Sequence, residues 1–229
     1  MMETVQAAYW PQAILFDLDG TLIDTAPDIA ASINIVLARD GLAALDLGDV
    51  RSMIGHGIRA LVKKAYAASG CPIDEGTLDL REATMMSVYA THLTVLSRPM
   101  PGAVDALAAC QARNAALAVV TNKPLGLTQT ILRHFGIDGL FAATIGGDFG
   151  LAPKPAPAPL FAALGPLGVA PKDAIMVGDS ATDVAAARAA GIPVVAVGGG
   201  YTDKPADELG ADKALASLHG LGDLLDAWA

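Results

Sequence analysis

Short, near-continuous apolar runs alternate with longer helical patterns along this chain, and that rhythm constrains its fold more than any other feature. The runs AILFD (13–17), ALAVVT (116–121), AATIGG (142–147), AIMVGD (174–179) and PVVAVG (193–198) read as strands. Unbroken apolarity is what a strand covered on both faces requires, as in a parallel sheet. Helical patterns fill the intervals, at about 102–113, 124–135, 157–168 and 181–190. Strand–helix–strand alternation with crossovers of one hand predicts an α/β fold, a doubly wound Rossmann-like parallel sheet.

One interval breaks the rhythm. Between FDLDGTLIDT (16–25) and PMPGAVDAL (99–107) no convincing strand occurs. Helices are predicted there at roughly 26–39, 48–53, 56–69 and 75–96. A strand-to-helix connection normally takes only a few residues. The excess therefore reads as an inserted all-helical domain, residues 25–98, with SRPMPG (97–102) as the return linker because prolines stop helices. Residues 1–24 and 99–229 form the α/β core domain.

Composition narrows the partners. Of 229 residues, 53% are hydrophobic and 17% charged, a globular balance. The net charge of −9 argues against nucleic-acid backbones, which need clustered Lys and Arg. A small phosphorylated metabolite remains compatible, since one cation and a metal can reverse the field in a cleft. The N-terminus lacks the basic start and apolar core of a signal peptide, and no apolar run is long enough to span a bilayer. Cys71 and Cys110 lie far apart with no CxxC pairing and read as reduced thiols. A cytoplasmic monomer or homodimer is expected, without membrane or nucleic-acid partners.

The chemistry is concentrated where strands end, which is where ligands bind in open α/β sheets. The first strand ends in Asp17-Leu18-Asp19, the second in Thr121-Asn122-Lys123, a later one in Gly178-Asp179-Ser180. Side chains two apart on a strand point to one side, so Asp17 and Asp19 are expected to face the same place. Such a pair suits a metal site, a nucleophile with an acid/base partner, or both; the alternative is a turn aspartate before Gly20-Thr21. Asp179 and Asp183 form a second acidic cluster, with helix capping as the alternative role. Two acidic clusters at two strand ends favour a shared divalent cation. Thr121 and Asn122 precede a helix and offer an anion site, or simply end the strand and cap the helix. Lys154 lies between prolines in APKPAP, a stiff loop able to hold an ammonium over a phosphate.

The strings FDLDGTLIDT, VVTNK, KPAPAP and GDSATD, in this order, resemble the four motifs of the haloacid dehalogenase superfamily, and the resemblance covers essentially the whole chain. It implies a helical cap inserted between the first two motifs, and a Mg²⁺-dependent phosphomonoester hydrolase working through an aspartyl-phosphate. Position by position it implies Asp17 as nucleophile and Asp19 as general acid/base. It implies Thr121 and Lys154 as phosphoryl ligands, with Asn122 beside them. Mg²⁺ would be held by Asp17, the backbone carbonyl of Asp19 and Asp179, with Asp183 supporting that shell. Asp19 speaks for phosphoryl transfer, since the superfamily's dehalogenases lack this second aspartate.

More closely, IGHGIRALV, RPMPGAVDAL, IGGD and VGDSATDVAAARAAG resemble bacterial phosphoglycolate phosphatases, which implies 2-phosphoglycolate as substrate. Phosphoglycolate carries a carboxylate as well as a phosphate. In the insert, His56 sits between Gly55 and Gly57, and Arg59 follows; a Gly-loop at a helix start suits an anion and Arg59 a carboxylate, Lys63 extending the patch. The alternative is a solvated face. Rival functions are a β-phosphoglucomutase-type phosphomutase, a phosphatase for sugar phosphates or pyrophosphate, and a non-catalytic binding protein. Three features stay outside these roles: His92 is unassigned, Asp24 reads as a helix cap before the insert, and GGGY (198–201) reads as a flexible loop.

Overall fold

The computed structural model describes residues 11–150, 152–202 and 204–228; the first ten residues, assigned above to the core domain, lie outside them. Six parallel strands form one sheet in the order β5-β4-β1-β6-β7-β8. They are β1 (Ala13–Phe16), β4 (Ala116–Val120), β5 (Ala143–Ile145), β6 (Ala174–Gly178), β7 (Val194–Val197) and β8 (Lys213–Leu215). Every residue of β1 is fully buried, as its unbroken apolar run requires. Helices α5 (Ala103–Ala112), α6 (Leu125–His134), α7 (Ala158–Leu167), α8 (Ala181–Ala190) and α9 (Leu221–Asp226) complete the α/β core. The five strands expected from the sequence are present. Edge strand β8 was not expected: KAL is largely exposed and carries no apolar run.

The first two core motifs are separated by four helices, α1 (Ala26–Arg39), α2 (Leu47–Met53), α3 (Ile58–Ala68) and α4 (Glu75–His92). Helix α4 packs on both α1 and α3. Helices α2 and α4 start where Asp46 and Asp74 accept from the N–H groups of Asp49 and Thr77, at 2.8 and 2.7 Å. The last helix is shorter than the expected 75–96. Buried Asp28 of α1 captures the N–H groups of Leu96 (2.9 Å) and Ser97 (2.8 Å) and the Ser97 hydroxyl (2.6 Å), turning the chain away after His92.

The insert also does not begin and end in plain linkers. Strand β2 (Ile23–Asp24) pairs antiparallel with β3 (Arg98–Pro99), a short flap where the chain leaves and re-enters the core. Two-residue strands carry too little pattern to be read from sequence. Among the described residues no helix is long and apolar enough to cross a membrane.

Candidate active site

Because β4, β1 and β6 are neighbours in the sheet, the residues at their carboxyl ends converge. Asp17 extends the β1 ladder by one bond, its N–H donating to the Val177 carbonyl at 3.0 Å. Lys154 arrives from the loop before α7 and is 3% exposed. Its ammonium has three N–H groups and three oxygens to meet: the Val120 carbonyl at 2.7 Å, Asp183 Oδ1 at 2.6 Å and Asp17 Oδ1 at 2.9 Å. Burial disfavours the charge, but the attraction of Asp17 and Asp183 outweighs it and holds the lysine above its ordinary pKa.

Asp17, Asp179 and Asp183 are buried, with one carboxylate oxygen from each lying within 4.8 Å of the others. Asp179 accepts from the Thr21 hydroxyl (2.8 Å) and the Tyr201 N–H (2.8 Å). Asp183 accepts at Oδ2 from the Ser180 hydroxyl (2.6 Å) and N–H (3.2 Å), closing a capping box on α8. It therefore caps the helix and faces the cluster together. Burial, and repulsion among the carboxylates, raise the pKa of Asp17 and of Asp179 despite Lys154 beside Asp17. Asp17 Oδ1 is buried and accepts no aligned hydrogen bond. Clustered, under-compensated carboxylate oxygens are a hard donor set, and they fit Mg²⁺. The approach to Asp179 is tight: a side chain at Gly20, whose φ is +84°, would meet Asp179 Oδ2 at 2.6 Å.

Asp19 departs from the expected pairing. Strand β1 ends at Phe16 with one further ladder bond at Asp17, so the alternation that would align Asp17 with Asp19 stops between them. Both line the same cavity, but the Asp19 carboxylate belongs to a different cluster. Its Oδ1 accepts from the Thr25 hydroxyl at 2.6 Å, and both oxygens accept from Lys123 Nζ, at 2.7 and 2.8 Å. Lys123 is buried, and its ammonium lies 4.9 Å from the ring centre of Tyr89 on α4. Attraction to Asp19 holds this lysine above its ordinary pKa against the cost of burial.

The cavity floor is polar: Asp17, Asp19, Thr121, Lys123, Lys154 and Asp183. Its roof is apolar, from Ile29, Ile54, Ile58, Leu61, Met85 and Tyr89 of the insert. Thr121 sits on this floor as expected. Asn122 lines it too, but its amide is committed: Nδ2 donates to the carbonyls of Gly55 and Lys154, both at 2.9 Å, and Oδ1 accepts from the Lys154 N–H at 2.9 Å. It holds the Lys154 loop and touches the insert, so its side chain is not a free phosphate ligand.

His56 and Arg59 are not among the residues lining the cavity, contrary to expectation. His56 is exposed. Arg59 is tied on the surface to Glu75 (2.6 Å), Asp79 (2.6 Å) and Glu82 (2.8 Å), and Lys63 joins Glu75 at 3.2 Å. The three carboxylates all belong to α4, so the packing of α3 on α4 decided this, and no local pattern near Arg59 announces it. His92 bonds its own helix, Nδ1 lying 2.9 Å from the Val88 carbonyl.

Asp24 is not the cap of α1; Thr25 is, and its hydroxyl bonds Asp19 and not the helix N–H groups. Asp24 instead accepts from Tyr201 Oη at 2.8 Å and from Arg51 Nη2 at 3.0 Å. Tyr89 carried no expectation, Tyr201 was read only as part of the GGGY loop, and Lys123 only as the last residue of the Thr121-Asn122-Lys123 strand end. The available signal for Lys123 was its place, two residues after Thr121 at a buried strand end.

Residues 14–197 match the family of haloacid dehalogenase-like hydrolases. The phosphoglycolate phosphatase of Caulobacter vibrioides is 40% identical over 205 residues, 90% of this chain and 86% of that protein. That of Rhodospirillum rubrum is 41% identical over 219 residues, 94% and 91% of the two chains. The crystal structure of a predicted phosphoglycolate phosphatase from Haemophilus somnus superposes with a TM-score of 0.86 at 34% identity, covering 93% of this chain and 97% of that one. CbbY from Rhodobacter sphaeroides, solved in complex with phosphate, superposes with a TM-score of 0.79 at 26% identity, covering 93% and 96%.

Proposed function

The chain belongs to the haloacid dehalogenase-like hydrolases and is a phosphatase of that family, and we propose that it hydrolyses 2-phosphoglycolate to glycolate and phosphate, using Mg²⁺ and an aspartyl-phosphate on Asp17. The observation that carries this reading is the division of the cavity floor: a buried carboxylate beside an ammonium, Asp17 with Lys154, and a second carboxylate, Asp19, held apart from it on Lys123.

In the first step an Asp17 oxygen attacks phosphorus. The bond to the glycolate oxygen breaks, its electron pair leaves with that oxygen, and Asp19 delivers the proton. In the second, a water oxygen attacks the same phosphorus while Asp19 takes its proton, and the bond to Asp17 breaks to release phosphate. Lys154 and the Thr121 hydroxyl face the phosphoryl oxygens. Asp17, Asp179 and the Asp19 carbonyl would hold Mg²⁺, with Asp183 supporting; the ion supplies positive charge where the phosphoryl charge develops. For Asp19 to reach the leaving oxygen, its contacts with Lys123 and Thr25 must rearrange.

Residues 25–98 act in this reading as a cap whose apolar roof excludes water from the aspartyl-phosphate. The substrate carboxylate would meet the start of α3, where Gly57 and Ile58 line the cavity and no side chain caps the first turn. The test is a panel of phosphomonoesters with Mg²⁺. The expected outcome is the highest kcat/KM for 2-phosphoglycolate, with phosphate released independently of any sugar bisphosphate. A higher kcat/KM for sugar phosphates would overturn the substrate.

A further inference from the structure

The GGGY segment is the one motif of the sequence that the catalytic reading leaves without a role, and in the structure it touches two places at once. At one end Gly200 packs on the carboxylate cluster: a side chain there would meet Asp179 Oδ2 at 2.1 Å and its Cβ at 2.4 Å. The next N–H, of Tyr201, donates to the same Oδ2 at 2.8 Å. At the other end the Tyr201 hydroxyl accepts from the N–H groups of Thr25 (2.7 Å) and Ala26 (2.9 Å) and donates to Asp24 Oδ1 (2.8 Å). Those two N–H groups open α1, where no intrahelical acceptor exists and the Thr25 hydroxyl, turned to Asp19, does not cap them. Arg51 of α2 closes the arrangement, paired with Asp24 at 3.0 Å and 5.9 Å from the centre of the Tyr201 ring.

We propose that Gly200-Tyr201 is a strap, and Tyr201 a positioning residue, that couples the placement of Asp179 to the hinge at 24–26 where the chain enters the helical insert. The backbone N–H and the phenol of one residue, Tyr201, join a carboxylate of the acidic cluster to the start of α1. A charge arriving at Asp179 draws on the bond to the Tyr201 N–H, and the same residue's hydroxyl fixes the hinge. By reciprocity, a change at the hinge must be felt at Asp179. The proposal rests on the Mg²⁺ site assigned above.

The test is amide hydrogen exchange at Thr25 and Ala26 in the full chain with and without Mg²⁺ alone, alongside the Mg²⁺ dissociation constant measured by calorimetry. In the parent protein Mg²⁺ should slow exchange at both amides. In Tyr201→Phe both amides should exchange about tenfold faster, the scale of one lost hydrogen bond, and their response to Mg²⁺ should vanish. By the same reciprocity the Mg²⁺ affinity of that variant should fall, by up to the factor with which Mg²⁺ slows exchange in the parent, and kcat should fall more than KM rises. Gly200→Ala, with its thermal midpoint checked, should weaken Mg²⁺ at least tenfold by displacing Asp179. A parent protein that binds Mg²⁺ with no change at Thr25 and Ala26 overturns the strap alone. An undiminished Mg²⁺ response in Tyr201→Phe also overturns it. A parent protein that binds no Mg²⁺ overturns both the strap and the metal-site reading on which it rests.

Discussion

Lys154 and Arg59 are both cations in segments suited to an anion, and the fold treats them in opposite ways. Lys154 is buried, hydrogen-bonded to the Val120 carbonyl and Asp183 and ion-paired with Asp17. Arg59 is solvent-facing and neutralised by three carboxylates of the next helix. A buried charge survives only with close, fixed partners, so its place in a structure is strongly determined. An exposed ion pair is weak and screened, so an arginine on a helix surface takes whichever carboxylates packing brings near. The fold thus holds Lys154 by necessity and Arg59 by circumstance.

The largest expected effect lies at the most constrained end of that contrast. Asp17→Asn should lower kcat by about 10⁴-fold or more, as loss of a nucleophile does, while leaving the metal-free thermal midpoint unchanged or higher because it removes one of three repelling buried carboxylates. Retained turnover would refute Asp17 as nucleophile. Lys154→Met should cost both activity, roughly 10²–10³-fold in kcat, and stability, about 3–5 kcal/mol on denaturant unfolding. Normal stability in that variant would place Lys154 in the same class as Arg59.

A smaller effect is the pH dependence of the metal-free protein. Burial and mutual repulsion raise Asp17 to about 6 and Asp179 to about 8 from an ordinary 3.8. The folded state therefore binds protons that the unfolded state has released, so stability falls as pH rises through this window. Asp40 is shifted the other way, by its bonds from Tyr66 and Arg81, and its contribution is lost only in acid below the ordinary carboxyl range. Unfolding midpoints of metal-free protein should decline between about pH 5 and 8, and Mg²⁺ should flatten the decline. The smallest effect is expected at the surface: Arg59→Ala should change KM for 2-phosphoglycolate by less than about twofold. A tenfold rise in KM would show that Arg59 leaves its carboxylates to meet substrate, and would erase the contrast with Lys154.

Where residues expected at the site are found together, a buried strand stands behind them. Asp17, Thr121 and Asp179 come directly after β1, β4 and β6, whose apolar runs are unmistakable, and Asp183 and Lys154 are tied to them by the short loop of α8 and a stiff proline loop. Accuracy was lost from the second residue beyond the strand onward. Asp19 was expected to share a direction with Asp17, but the ladder ends and a turn sends its carboxylate to Lys123. Asn122 was expected on phosphate, and its amide instead fastens the Lys154 loop. Asp24 and Tyr201 are 177 positions apart in the chain, and no local pattern in either segment points to the other.

The sequence by itself determined the sheet, the helical insert and the strand ends that carry the carboxylates, because apolar periodicity is a local property and burial of a strand leaves little choice about where its last residues emerge. The tertiary structure decided how those groups divide. It put Asp17 with Asp179 and Asp183, gave Asp19 to Lys123, drew Arg59 onto α4 and stretched Tyr201 between the acidic cluster and the start of α1. Each of those outcomes depends on distances between side chains remote in sequence, and short-range charge and hydrogen bonding act only once packing has set those distances.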